Sequence, residues 1–334
     1  MTPEKFDFSL RLERIFMPYA QRQRRAAYVK QIGAEPSAGT FIRFAHYTSA
    51  TAAMNIITEK SMWMRNTKCM SDYSEIQHGF AMMQGFFKPD NSDRAKLYAA
   101  LDECSVGVAE EAVTMFNGLF QDTNLNTYIA SISEHDSTED VHGRLSMWRA
   151  FGGNTARVAF VFKVPYGSGV TEALQLMFSP VAYLSEPGVH DVLREVAENV
   201  TREQEFLKSI DRKILVWAVF TMLLAGVTCL KHEGFHEERE WRVIYSPYRQ
   251  PSPLMKSITR EISGVPQIIH LLPLNQNDLP ALADIDLVNM FDRLIIGPSP
   301  YPWPMKEAFI EALTNAGVKD AKDKVSISGI PIRA

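Results

Sequence analysis

The sequence predicts a mixed α+β domain with mostly antiparallel sheets and flanking helices. Three observations lead there. Strand-like and helix-like stretches alternate irregularly, which does not build a doubly wound sheet. Several short runs rich in β-branched and aromatic residues are bounded by turn residues, as strands are. And 46% of the 334 residues are hydrophobic, enough to bury a sizeable core.

Taken in order, residues 5–32 have helical spacing with many Arg (LRLERIF, QRQRRAAYVKQI), and SAGT after them reads as a loop. Residues 1–40 therefore form a helical N-terminal arm on a single domain spanning 41–334. FIRFAHYTS (41–49) is a strand, followed by a helix opened by a Thr or Ser cap. SMWMRN is a short strand running into a polar loop at 71–74, and 75–120 is helical with a break at KPDNSD. NTYIASISE (126–134) is a strand, HDSTEDVHG a polar loop, LSMWRAFG a short helix and RVAFVFKV (157–164) a strand. LMFSPVAYL reads as one more strand, and residues 188–231 as a helical insertion of two helices. EREWRVIY, PQIIHLLPL (266–274) and DRLIIGP are strands, MKEAFIEALTNAG is a helix stopped by Gly, and KVSISGIPI closes the chain as a strand.

Composition narrows the function. A net charge of -4 gives no basic excess to hold a nucleic-acid backbone by charge alone. The three cysteines are far apart without a CxxC pair, which points to a reducing cytoplasm and to no zinc site. The N-terminus has no signal-peptide pattern. The charge-free segment ILVWAVFTMLLAGVTCL (214–230) is short for a bilayer, carries basic residues on both sides, and is expected to be a buried core helix. No phosphate loop, dinucleotide fingerprint, HExxH or nucleophile elbow occurs, and the eight His form no convincing metal pair.

Four stretches mix aromatic and charged residues where a plain core element would not: FAHYTS, MSDYSEI, LSMWRAFGG and KHEGFHEEREWR. In the last, strand spacing is expected to put Glu238, Glu240 and Arg242 on one face and Trp241, Val243 and Tyr245 on the other. One explanation is an ion-paired network in which Arg149, Arg157, Lys231 or Arg242 neutralises the acids. The other is a site that stabilises positive charge developing on a sugar. A third is a Mg²⁺-dependent nuclease with Asp72, Glu75, Glu238 and Glu240 as oxygen ligands, against which Arg242 on the same face would repel the cation.

In their order and spacing, FAHYTS, SMWMRN, SDYSE, LSMWRAFG, EREWR, LIIGP and SGIP resemble a bacterial family known as domain of unknown function 2971, over about residues 41–334. Phe151 and Met147 depart from its pattern, which favours Tyr and Gln at those places. More distantly, a His-bearing first strand and a late Glu-x-Glu strand are similar to the NAD-dependent ADP-ribosyltransferases. That likeness implies an ADP-ribosyltransferase-like core and NAD as substrate, with ADP-ribose passed to a macromolecular acceptor or to water, in a toxin or antiphage effector. It implies His46 on the ribose with Tyr47 and Thr48 beside it, and Glu240 as the catalytic carboxylate. Glu238 would position the acceptor, Tyr73 or Trp63 would stack on nicotinamide, and Arg149 or Arg242 would bind the pyrophosphate. A non-catalytic ligand-sensing or interaction module is the competing expectation. The catalytic scheme needs His46 and the two acids to meet across one hollow.

Overall fold

The computed structural model describes residues 2–32, 41–70, 75–150, 156–165, 169–275 and 279–331. Strand β1 (Phe41–Ser49) alternates as its sequence dictates: Ile42 and Phe44 enter a large core, while Ala45 and Tyr47 enter a smaller one on the opposite face. Ser49 ends it by accepting a hydrogen bond from the Ala52 amide, which caps helix Ala50–Glu59.

The other strands are β2 (Ser61–Asn66), β3 (Tyr128–Glu134), β4 (Arg157–Pro165), β5 (Leu176–Pro180), β6 (Ala182–Tyr183), β7 (Leu230–Lys231), β8 (Glu240–Tyr245), β9 (Lys256–Ile262), β10 (Val265–Pro273), β11 (Phe291–Ile296) and β12 (Val325–Ile327). Ten of them make one sheet, in the order β12-β11-β4-β1-β3-β2-β10-β9, with β8 on β3 and β5 on β8. Its pairings are antiparallel except for β11 with β12. The fold is thus mixed α and β with a mostly antiparallel sheet, as the sequence predicts.

One feature of the pairing positions the site. β1 and β2 share the same edge of β3 at opposite ends, Ala45 lying opposite Ser133 and Arg65 opposite Ile129, while β8 runs along the other edge from Tyr128 to Ser133. The sheet forks there, and residues 130–132 find no ladder partner in either β1 or β2.

A second core is helical. Helices Glu75–Phe86, Ser92–Cys104, Val108–Leu125, Glu186–Arg202 and Arg212–Thr228 pack their apolar sides together, and Ile15 and Phe16 of helix Pro3–Phe16 join them. Residues 214–228 of the charge-free segment lie in helix Arg212–Thr228, whose Leu215, Val219, Phe220, Leu223 and Leu224 are buried, and Leu230 passes into β7. Among the described residues no helix is long and apolar enough to cross a membrane.

Four readings differ from the sequence. The 188–231 stretch contains helices Glu186–Arg202, Gln204–Ser209 and Arg212–Thr228, because Asp211 accepts from the Lys213 amide and opens a new helix. LMFSPVAYL splits because the chain changes partners: Val181 donates to the Glu240 carbonyl and Ala182 to that of Cys229. Strand β9 (KSITREI) carries no apolar face to announce it, being exposed along most of its length. Finally, β8 begins at Glu240. Glu238 belongs to the 3₁₀ turn Glu233–Glu238, and Arg239 between them has a left-handed backbone (φ 45°), so Glu238 does not extend the strand face.

Candidate functional site

His46 and Glu240 do not meet. Ala45 is opposite Ser133, and Ser133 is opposite Glu240, so Glu240 lies on the face of Ala45 and Tyr47. His46, next along β1, projects from the other face, where Phe44 packs edge to face on Trp241. The expected shared hollow is therefore a correction to the sequence reading. His46 has a structural task instead: its Nδ1–H donates to the Ser131 carbonyl at 2.8 Å, in the fork where that edge of β3 pairs with neither β1 nor β2. Burial holds its pKa below the ordinary imidazole value, so the ring stays neutral.

Glu240 is 6% exposed and Arg242 1%. Arg242 Nε donates to Glu240 Oε1 at 2.9 Å and Nη2 to Oε2 at 3.1 Å, while Nη1 reaches the Thr228 carbonyl at 2.6 Å. Lys231 Nζ joins Glu238 Oε2 at 2.8 Å and Glu240 Oε2 at 3.5 Å. Burial pushes the Glu240 carboxyl up, but the Arg242 and Lys231 charges outweigh it and hold its pKa at about 2. These acids are neutralised by the strand's own arginine and by Lys231. The expected role of Arg149 in pairing with them is not what the structure contains.

A second charged cluster, largely buried, lies elsewhere. The segment Asp136–Glu139 forms a capping box on a 3₁₀ turn, with Asp136 Oδ1 accepting from the Thr138 amide and Glu139 Oε2 accepting from the Asp136 amide. That turn holds Glu139 toward Arg144 and Arg239. Arg144 is the clamp: Nε donates to Glu139 Oε1 at 2.9 Å, Nη2 to the Glu134 carbonyl at 2.5 Å, and Nη1 to the Glu237 and Glu238 carbonyls at 3.1 and 2.8 Å. Its own amide donates to the Tyr47 hydroxyl at 2.8 Å. Arg239 bridges Asp136 and Glu139. Although burial pushes Asp136 up, hydrogen bonds from Lys30, Thr138 and Arg239 hold its carboxyl well below the usual range.

Between these elements lies an open hollow of about 510 Å³, lined by Glu139, Arg144, Leu145, Ser146, Arg149, Glu237 and Arg239. Its volume falls within the ~300–1,000 Å³ of ligand pockets, whereas the apolar void of about 40 Å³ in the helical core is far too small for a metabolite. Helix Leu145–Ala150 supplies Ser146 and Arg149, which are three residues apart and share a helix face, and its Trp148 anchors it. Trp148 packs edge to face on Tyr47 (centroids 4.9 Å apart) and donates from Nε1 to the His142 carbonyl at 2.8 Å. Gly143 and Gly297 approach that indole so closely that a Cβ at either would come within 3 Å of it.

Of the residues the sequence singled out, Arg149 lines the hollow, and Tyr47 supports it through Arg144 and Trp148. Thr48 is a partly buried ladder residue opposite Val158. Trp63, on β2, donates to Glu59 at 3.2 Å. Tyr73, Asp72 and the side chain of Glu75 lie outside the described residues. Among the described residues no three His, Cys, Asp or Glu side chains gather as a metal set. Sequence reasoning missed Glu139, Arg144, Glu237 and Arg239. The one local signal was the Asp-Ser-Thr-Glu capping spacing at 136–139.

The fold and this hollow define a mixed α/β domain with a charged surface site. Residues 147–243, less than a third of the chain, match the sequence model of a family described as protein of unknown function (DUF2971). The match runs from the anchoring helix Leu145–Ala150 into β8, so it spans Trp148, Arg149, Glu240 and Arg242. No curated protein and no solved structure matches the chain.

Proposed function

We propose that this chain is a ligand-recognition module that binds an NAD-type dinucleotide in the Arg144–Arg149–Arg239 hollow and leaves the nicotinamide-ribose bond intact. One observation carries the reading: Glu240 is sealed in ion pairs on the sheet face opposite His46, while Arg149 stands exposed in a hollow of about 510 Å³. Stabilising a ribosyl cation asks for a preorganised carboxylate in a water-poor pocket, aimed at the sugar. Glu240 is dry, but both its oxygens are engaged by Arg242 and Lys231. Glu237 is exposed to water. Neither meets the requirement, whereas an exposed guanidinium beside the Ser146 hydroxyl suits a pyrophosphate.

The test is calorimetric titration with NAD beside an assay for nicotinamide release. Saturable binding with no release is the expected result. Release that Glu240→Gln abolishes in folded protein would replace recognition by catalysis, and absence of NAD binding would remove the dinucleotide.

A further inference from the structure

The charges in the hollow are not all matched. Arg144 is saturated by Glu139 and three carbonyls, and Arg239 is paired with Asp136 and Glu139. Arg149 and Glu237 are different: both line the hollow, both are exposed, and among the described residues neither has an ion-pair partner. They lie on separate walls. Arg149 projects from helix Leu145–Ala150 and Glu237 from the 3₁₀ turn Glu233–Glu238, whose backbone Arg144 ties in place. The hollow thus offers one unmatched cation and one unmatched anion, on two different elements tied down by Trp148 and by Arg144.

From this we infer that the ligand carries both charges, an anionic group for Arg149 and Ser146 and a cationic group for Glu237. A ligand with only negative charge would gain Arg149 but face Glu237 in the same hollow. A ligand with only positive charge would face Arg144, Arg149 and Arg239. A zwitterion whose charges are separated meets both walls without a like-charge contact. The inference rests on the hollow being the binding site, as proposed above. NAD, with its pyridinium cation and its pyrophosphate, has the required pattern, and NADH lacks the pyridinium charge.

Two probes of the same anion separate the charges: phosphoethanolamine and inorganic phosphate, followed by NMR at low ionic strength and millimolar concentration. Exposed charge pairs contribute modestly, so phosphoethanolamine is expected to bind about two- to fivefold tighter than phosphate. Glu237→Gln should erase that preference, and Arg149→Gln should weaken both probes. Both substitutions are on exposed side chains, so folding is retained, and the unchanged thermal melt verifies it. Equal affinities, a preference that survives Glu237→Gln, or no shift with either probe would overturn the inference. NAD serves as the second arm. Failure of NAD to bind while the phosphoethanolamine preference stands would discard the dinucleotide and keep the zwitterion. Equal binding of NAD and NADH, with the preference lost, would discard the zwitterion and keep the dinucleotide.

Discussion

The stretch Glu237–Arg242 supplies two regions with opposite treatments of charge. Inside, Glu240 and Arg242 sit under the sheet with Lys231, and their charges answer one another at hydrogen-bond distance. Outside, three residues earlier, Glu237 lines an open hollow that Arg149 also lines. The left-handed Arg239 between them lets consecutive charged residues go to different places. A dense run of Glu and Arg is therefore not by itself a catalytic signature. Burial and matching make one half a structural bolt, while the other half stays exposed with its charge unmatched.

The largest expected effect breaks the inner region. Glu240→Gln leaves the buried Arg242 guanidinium without its counter-charge, at a cost of about 3–5 kcal/mol of unfolding free energy by urea titration. Replacing Glu240 and Arg242 together with apolar residues of similar volume should cost less than the single change, because no uncompensated ion remains.

Glu240, together with the separate ion-paired Asp292 of β11, also sets a pH dependence. The folded Glu240 carboxyl, at about 2, and that of Asp292, also at about 2 beside Lys163 and Arg43, both lie below their ordinary values. The stability they contribute is therefore fully present above the ordinary carboxyl range, and is lost as pH falls from there through about 2. Urea unfolding should show a plateau near neutrality and a decline below about pH 4.5, and the decline should be shallower in Glu240→Gln.

Next in size, Arg144→Gln frees the 3₁₀ turn Glu233–Glu238 from its clamp and leaves Glu139 with one arginine fewer. A loss of about 2–3 kcal/mol is expected, with weaker ligand binding as the hollow's wall loosens. His46→Ala uncaps the Ser131 carbonyl in the sheet fork, for about 1–3 kcal/mol. If His46 were instead a ribose contact, its removal would change ligand affinity and leave the melt alone.

Much of the fold was legible in the sequence because it is local. The strand from Phe41 to Ser49, the Ser49 cap and the helix breaks around Asn91 are written in neighbouring residues. What could not be read is which faces meet. His46 and Glu240 belong to β1 and β8, which flank β3 on opposite edges, and the parity of two registers decides their sides. A slip of one residue in either pairing would have reversed the answer. Half the hollow was hidden for a different reason: Glu139, Arg144 and Arg239 sit on turns, where side-chain direction follows no period. Arg149 was found because it adjoins a tryptophan that stands out.

NAD binding isotherms of Arg149→Gln and Glu240→Gln, recorded side by side at a temperature where both are folded, separate binding in the hollow from chemistry at the buried acids. Loss of affinity in Arg149→Gln, with Glu240→Gln matching the wild-type chain, is the result expected. Wild-type affinity in Arg149→Gln together with loss in Glu240→Gln would contradict it and return the site to the buried acids.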